Sequence, residues 1–200
     1  MLSSLLIAAA LVAAPASASI RAVVSYDGAA VTVDGVQVLR PLPSLRMAVV
    51  DADPAALARL ASTHGVRGVA PDTALELAGG PSFGEPVEAA EGLGGQAGQA
   101  GAGRGVRVAV VDTGVSDTTA LDRSSGRLVD AFDVGGAAAP YTDGYGHGTF
   151  MASILAGGPV AGSGGHPVGV APGATVLVVR VAGADGGTSL SQVLAGLDWV

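Results

Sequence analysis

Residues 106–115 read VRVAVVDTGV, and this stretch decides the fold of the C-terminal half of the chain. Its first six residues are almost uniformly apolar, and a second run of this kind, ATVLVVRV, occupies residues 174–181. Helical patterns lie nearby, with HGTFMASILAG at 147–157 and SLSQVLAGLDWV at 189–200. Continuously apolar strands separated by helices are typical of a parallel sheet that is covered on both faces. The sequence therefore predicts an α/β unit over residues 106–200.

A second, smaller unit is predicted over residues 19–77. Short β-branched runs include VTV at 31–33, and Asp34 with Gly35 can form a hairpin turn into the adjoining VQVL run. The LRMAVVDA segment predicts another strand, and Asp53 is suited to cap the helix that comes next. VRGVA predicts a returning strand, so this unit is expected to be α+β.

Composition restricts the classes of function. Hydrophobic residues make up 49% of the chain and charged residues 14%, which is too apolar for a disordered protein. The formal net charge is −7, whereas a nucleic-acid-binding protein needs a basic face, so no nucleic-acid partner is expected. The chain has no Cys, which excludes disulfides and thiolate metal sites.

The N-terminus has the pattern of a secretory signal peptide. Residues 5–14 read LLIAAALVAA, and Ala-Ser-Ala comes next at 16–18 as a small-x-small cleavage site. A membrane anchor is the alternative, but it needs about 20 apolar residues. We therefore expect residues 1–18 to be a signal peptide, the protein to be secreted (extracellular or in the cell envelope), and no other membrane segment in this portion.

Between the two units, residues 78–105 are rich in Gly and Ala and show neither helical nor strand periodicity. Such a segment is expected to be a linker. Small residues between two folded units are also a common place for proteolytic cleavage, so a processing site is expected there.

Two residues stand out as candidates for chemistry. Asp112 ends a predicted parallel strand, where open α/β sheets place ligand-facing residues. His147 opens a predicted helix between Gly146 and Gly148, whose small size leaves the imidazole accessible. Each alone also has a simple structural interpretation, the Asp as a turn cap and the His as a polar residue at a helix entrance.

Together and in this order, VAVVDTGV and GHGTFMASILAG resemble the Asp and His signatures of the subtilisin-like serine proteases, the subtilases. The stretch from 169 to 200 resembles the segment after the catalytic His helix in that family. The resemblance implies a subtilisin-like parallel sheet, and a Ser-His-Asp triad in which Asp112 and His147 are the first two members. The family's GTS-M-A-x-P motif is not found in the 200 residues, and Gly187-Thr188-Ser189 lacks its remainder. We therefore expect a serine endopeptidase sequence truncated before its nucleophile, and inactive as this piece alone.

Residues 19–77 resemble the family's inhibitory propeptide, which implies a ferredoxin-like domain that occupies the substrate cleft of a zymogen. Proteins or peptides are the implied substrates, and the chemistry needs no cofactor. Many family members bind structural calcium, to which several Asp side chains could contribute, but none of their loops has the spacing of a dedicated site. These are Asp117, Asp130, Asp133 and Asp143.

Two other functions are compatible with parts of the sequence. A DTG after apolar residues is also the signature of aspartic proteases, but that class needs two such motifs on β-rich lobes. The other alternative is a non-catalytic, propeptide-like protein that binds or inhibits a protease.

Overall fold

The computed structural model describes residues 18–77, 99, 101–136 and 141–200, in which the chain forms nine strands and three helices. In the N-terminal half the elements are β1 (Ile20–Tyr26), β2 (Val36–Leu42), β3 (Met47–Ala52), α1 (Pro54–Ala61), β4 (Val66–Pro71) and β5 (Ala74–Glu76). In the C-terminal half they are β6 (Arg107–Asp112), β7 (Leu128–Asp133), α2 (His147–Ala156), β8 (Thr175–Arg180), β9 (Gly187–Ser189) and α3 (Leu190–Trp199).

The C-terminal half is built on a parallel sheet with the strand order β6-β8-β7. Side chains of the central strand β8 alternate between two buried clusters. Val176 and Val178 pack with Ala152 of α2 on one face, and Val179 packs with Ala195 of α3 on the other. The sheet is therefore covered on both sides, which confirms the predicted α/β class.

The N-terminal half is an antiparallel sheet with the order β2-β3-β1-β4. One face is covered by α1, where Val24, Val50 and Leu60 are fully buried. Asp53 caps this helix by accepting a hydrogen bond from the Ala56 amide at 2.8 Å, as predicted. The unit is therefore α+β with its own core.

One element of the sequence prediction is wrong. Residues 31–33 form no strand, and β2 pairs with β3 through a turn in which the Arg46 amide donates to the Pro43 carbonyl. Val31 and Val33 instead pack against the core beneath α1. A ferredoxin-like unit has a helix between its first two strands, but residues 27–35, which join β1 to β2, form no helix. The ferredoxin-like part of the prediction is therefore not confirmed.

The two halves meet along α3. The second face of the antiparallel sheet contributes Leu42 and Val49 to the same buried cluster as Val179 and Ala195. In addition, β5 forms a two-stranded antiparallel sheet with β9. Hydrophobic burial and backbone pairing therefore both join the halves.

Two sequence predictions lie outside the described residues. These are the signal peptide, except for its last residue, and most of the linker, namely 78–98 and 100. Residues 101–105 are described and form turns, in which the Ala102 carbonyl accepts from the Gly173 amide at 2.7 Å. Among the described residues, each helix is too short or too polar to traverse a lipid bilayer.

Candidate active site

Asp112 and His147 lie side by side although they are far apart in the sequence. Asp112 ends β6, and His147 is the first residue of α2, which packs over the same end of the sheet. The His147 Nδ1 atom lies 2.9 Å from Asp112 Oδ1 and 2.8 Å from Asp112 Oδ2. The exposed fractions of the side chains are 19% for His147 and 10% for Asp112. The pair is therefore shielded from water while the imidazole keeps some access to the surface.

This contact orients the imidazole. A carboxylate facing Nδ1 accepts a hydrogen, so Nδ1 carries the proton and Nε2 is left as the acceptor in the neutral ring. The Thr113 amide donates to Asp112 Oδ1 at 2.7 Å, which fixes the carboxylate in turn. The arrangement can accept a proton at Nε2 and stabilise the resulting imidazolium.

Two glycines allow the backbones around the pair to approach closely. A Cβ atom on Gly148 would overlap the carbonyl oxygen of Gly114 and lie 3.1 Å from the Asp112 Cβ. A Cβ on Gly114 would overlap the carbonyl oxygen of Thr142, and the φ angle of Gly114 is +108°, which other residues rarely adopt. The small size of Gly148 was predicted to matter for access to the ring, and it also permits this contact between backbones.

A third carboxylate, Asp143, lies beside the pair. It accepts hydrogen bonds from the Thr149 amide and hydroxyl, the Gly146 amide and the Thr113 hydroxyl. Burial alone would raise the pKa of Asp143, but these hydrogen bonds outweigh it and hold the pKa below its ordinary value. Sequence reasoning considered Asp143 only as a possible calcium ligand and missed this role.

The other candidate calcium ligands are separate from one another. Asp117 pairs with Arg123, Asp130 pairs with Arg107, and Asp133 approaches Arg180. Within residues 18–77, 99, 101–136 and 141–200, no group of three or more acidic or His side chains is arranged to hold a metal ion.

Ser189 has a structural role at the start of α3. It is the N-cap of α3, where its hydroxyl accepts from the Gln192 amide at 3.4 Å and lies 3.0 Å from the Ser191 hydroxyl. These contacts account for the Gly-Thr-Ser sequence as the start of a helix.

The β9 strand provides a backbone edge near the Asp–His pair. Its neighbour Gly186 packs so closely on Tyr145 that a Cβ there would lie 2.9 Å from the ring, and Tyr145 precedes His147 by two residues. The Leu77 amide donates to the Gly186 carbonyl at 3.3 Å, so the chain leaving β5 continues along this edge. The chain leaving β5 therefore reaches the segment that packs on Tyr145.

Comparison with known proteins identifies the family of the C-terminal half. A model described as the subtilase family matches residues 103–200, which include β6, α2, β8 and α3. The C-terminal half of this chain belongs to the subtilase family. It holds the Asp–His pair, whereas residues 18–77 lie outside the matched range.

Two curated relatives illustrate what the C-terminal half is similar to. A subtilisin-like protease of Coccidioides posadasii is 38% identical over 106 residues, covering 49% of this chain and 22% of that protein. Subtilisin BL of Lederbergia lenta is 41% identical over 98 residues, covering 48% and 33%. The chain thus spans a third or less of these relatives. A solved structure of MycP1 without its N-terminal propeptide is 30% identical, with a TM-score of 0.37, over 49% of this chain and 27% of that one.

Proposed function

We propose that this chain is the N-terminal part of a secreted serine endopeptidase in which His147 is the general base and Asp112 its orienting partner. The observation that carries the proposal is the contact of His147 Nδ1 with both Asp112 oxygens, at 2.8 and 2.9 Å. Membership of residues 103–200 in the subtilase family supports the same chemistry.

In this proposal His147 activates a serine outside residues 1–200. A serine hydroxyl is a weak nucleophile until a base accepts its proton, and Nε2 of the neutral ring is free to do so. As the oxygen attacks the peptide carbonyl, its proton moves to Nε2, and the ring then donates it to the leaving amine. Asp112 stabilises the imidazolium that exists between these steps.

We further propose that residues 19–77 are a propeptide that blocks the substrate cleft. Support comes from β5, which pairs with β9 in the manner in which extended peptides add to a sheet edge. Asp72 strengthens the attachment, because its two oxygens accept from the Ser191 amide at 2.8 Å and hydroxyl at 2.7 Å. The precursor would then be a zymogen, activated by cleavage within 78–105.

Labelling with a fluorophosphonate probe tests the enzyme proposal, since the probe reacts with activated serines. The full-length secreted protein should be labelled and should hydrolyse peptides. His147→Ala should abolish labelling, and Asp112→Asn should lower kcat by roughly 10⁴-fold, because the ring loses its tautomer and orientation.

His166→Ala is the matched control, because His166 is exposed and distant in sequence from the pair. It should leave both measurements unchanged. Labelling that persists in His147→Ala would contradict the assignment of His147 as the general base. An unlabelled full-length protein that inhibits another subtilase would favour the non-catalytic, protease-binding alternative. N-terminal sequencing of the secreted protein tests the signal peptide and the processing site independently.

A further inference from the structure

The hydroxyl of Thr113 lies between two carboxylates and can serve only one of them as a donor. Thr113 Oγ1 is 2.8 Å from Asp143 Oδ1 and 3.2 Å from Asp112 Oδ1, and it accepts from the Gly148 amide at 3.0 Å. A hydroxyl has one hydrogen, and the shorter contact is with Asp143. The hydrogen therefore points to Asp143, and Asp112 is left without a hydrogen bond from this hydroxyl.

The remaining contacts of Asp143 lie at the beginning of α2. It accepts from the Gly146 amide at 2.7 Å, the Thr149 amide at 2.8 Å and the Thr149 hydroxyl at 2.6 Å. The N-cap residue of α2 is Gly146, which has no side chain to bond the free amides of the first turn. Asp143 supplies that function from three residues upstream. His147 lies between the two residues that Asp143 binds.

From these contacts we propose that Asp143 is a positioning residue for the Asp112–His147 pair. It anchors the first turn of α2, which sets where the imidazole lies, and it retains the Thr113 hydrogen, which leaves the Asp112 carboxylate to the imidazole. This inference rests on the proposed function, because it assigns Asp143 a part in the same reaction without contact with substrate.

Removing the charge of Asp143 should change the pair in two ways. The Thr113 hydroxyl can rotate to donate to Asp112 Oδ1, and that carboxylate then attracts the imidazolium less strongly. The first turn of α2 also loses an acceptor with full negative charge, and hydrogen bonds to charged groups are stronger than those to neutral ones. Both effects reduce the stabilisation of the transition state more than they reduce the affinity for substrate.

The test compares Asp143→Asn with Asp130→Asn in the full-length protein after maturation. Asp130 is a suitable control because its ion pair with Arg107 is on the surface, with more than half of each side chain exposed. Asp143→Asn should lower kcat by roughly 10- to 100-fold with little change in KM, since a small misplacement of a catalytic group costs this much. Asp130→Asn should change neither.

A pH profile separates positioning from a general loss of folded enzyme. Removing a negative charge from the start of α2 should favour the neutral imidazole in the variant, so Asp143→Asn should move the acid limb of kcat/KM to lower pH. Loss of folded protein would lower the whole profile without moving that limb. In a Thr113→Val background the effect of Asp143→Asn should shrink, because the shared hydroxyl is gone.

A kcat and an acid limb matching those of Asp130→Asn would overturn the inference. If Asp143→Asn does not accumulate as folded protein, Thr149→Val, which removes one of the hydrogen bonds between Asp143 and the first turn of α2, must lower kcat with little change in KM. An unchanged kcat in that variant overturns the inference. Failure of the proposed function is visible separately, as an unmodified protein without activity or a His147→Ala variant that retains it.

Discussion

The antiparallel sheet of the N-terminal half and the parallel sheet of the C-terminal half are completed in different ways. The parallel sheet has helices of its own half on both faces, α2 and α3. The antiparallel sheet has α1 on one face, and its second face packs on α3 of the other half. The parallel sheet is the one that brings Asp112 and His147 to a single strand end. The N-terminal half therefore depends on its partner for burial, while this pair depends on the C-terminal half alone.

The largest expected effect comes from closing the space between β6 and α2. Gly148→Ala places a methyl group against the Gly114 carbonyl, so α2 must move away from β6 and His147 must leave Asp112. We expect kcat to fall by about 10²-fold or more. The control is Gly101→Ala, since a Cβ on Gly101 meets no atom within 4 Å. Equal activity of the two variants would contradict the close approach, and the peptidase assay decides it.

An effect on stability rather than on rate should show whether the two halves have separate cores. Leu60→Ala removes a fully buried side chain from the N-terminal half, and Leu121→Ala does the same in the C-terminal half. Each should cost about 2–5 kcal/mol in the free energy of unfolding of its own half, because a cavity remains. Hydrogen exchange of the uncleaved chain should accelerate in β1 and β3 for the first variant and in β6 and β8 for the second. Acceleration of all four strands in both variants would show one cooperative unit instead.

The smallest effect concerns the attachment between the halves. Asp72→Asn replaces a charged acceptor of the Ser191 amide and hydroxyl with a neutral one, and should weaken the attachment by about 1–2 kcal/mol. Exchange of the Ser191 amide should accelerate roughly tenfold, as measured on the uncleaved chain. Asp27→Asn is the control, because the Asp27 carboxylate forms an exposed ion pair with Arg67. If the two variants exchange alike at Ser191, Asp72 does not hold the halves together.

Local sequence patterns predicted the elements that are decided locally. The apolar runs predicted β6 and β8, and Asp53 predicted the start of α1. The strand β7 was missed because its LVDAFD sequence contains two Asp residues and lies at the sheet edge, where fewer positions need to be apolar. A hairpin around Asp34 and Gly35 was predicted wrongly, since local turn chemistry does not reveal which strand β2 will find as its partner.

The features that sequence patterns did not predict depend on contacts between residues far apart in the chain. The three-residue strand β9 is defined by its pairing with β5, more than 100 positions earlier, and no periodicity is measurable over three residues. Asp112 and His147 were found by motif, but the hydroxyl of Thr113 that connects them to Asp143 is evident only from the coordinates. The sequence thus predicted which two residues meet and missed the network that holds them.

The pairing of β5 with β9 has a consequence for how often the backbone edge of β9 is unpaired. Three paired residues alone would separate readily, but the same unit is also held on α3 by a buried face. This makes the attachment bivalent, so after each separation β5 remains at a local concentration that is roughly in the millimolar range for short tethers. Substitutions in β5 should therefore change the fraction of time that the β9 edge is unpaired, while the N-terminal half stays bound.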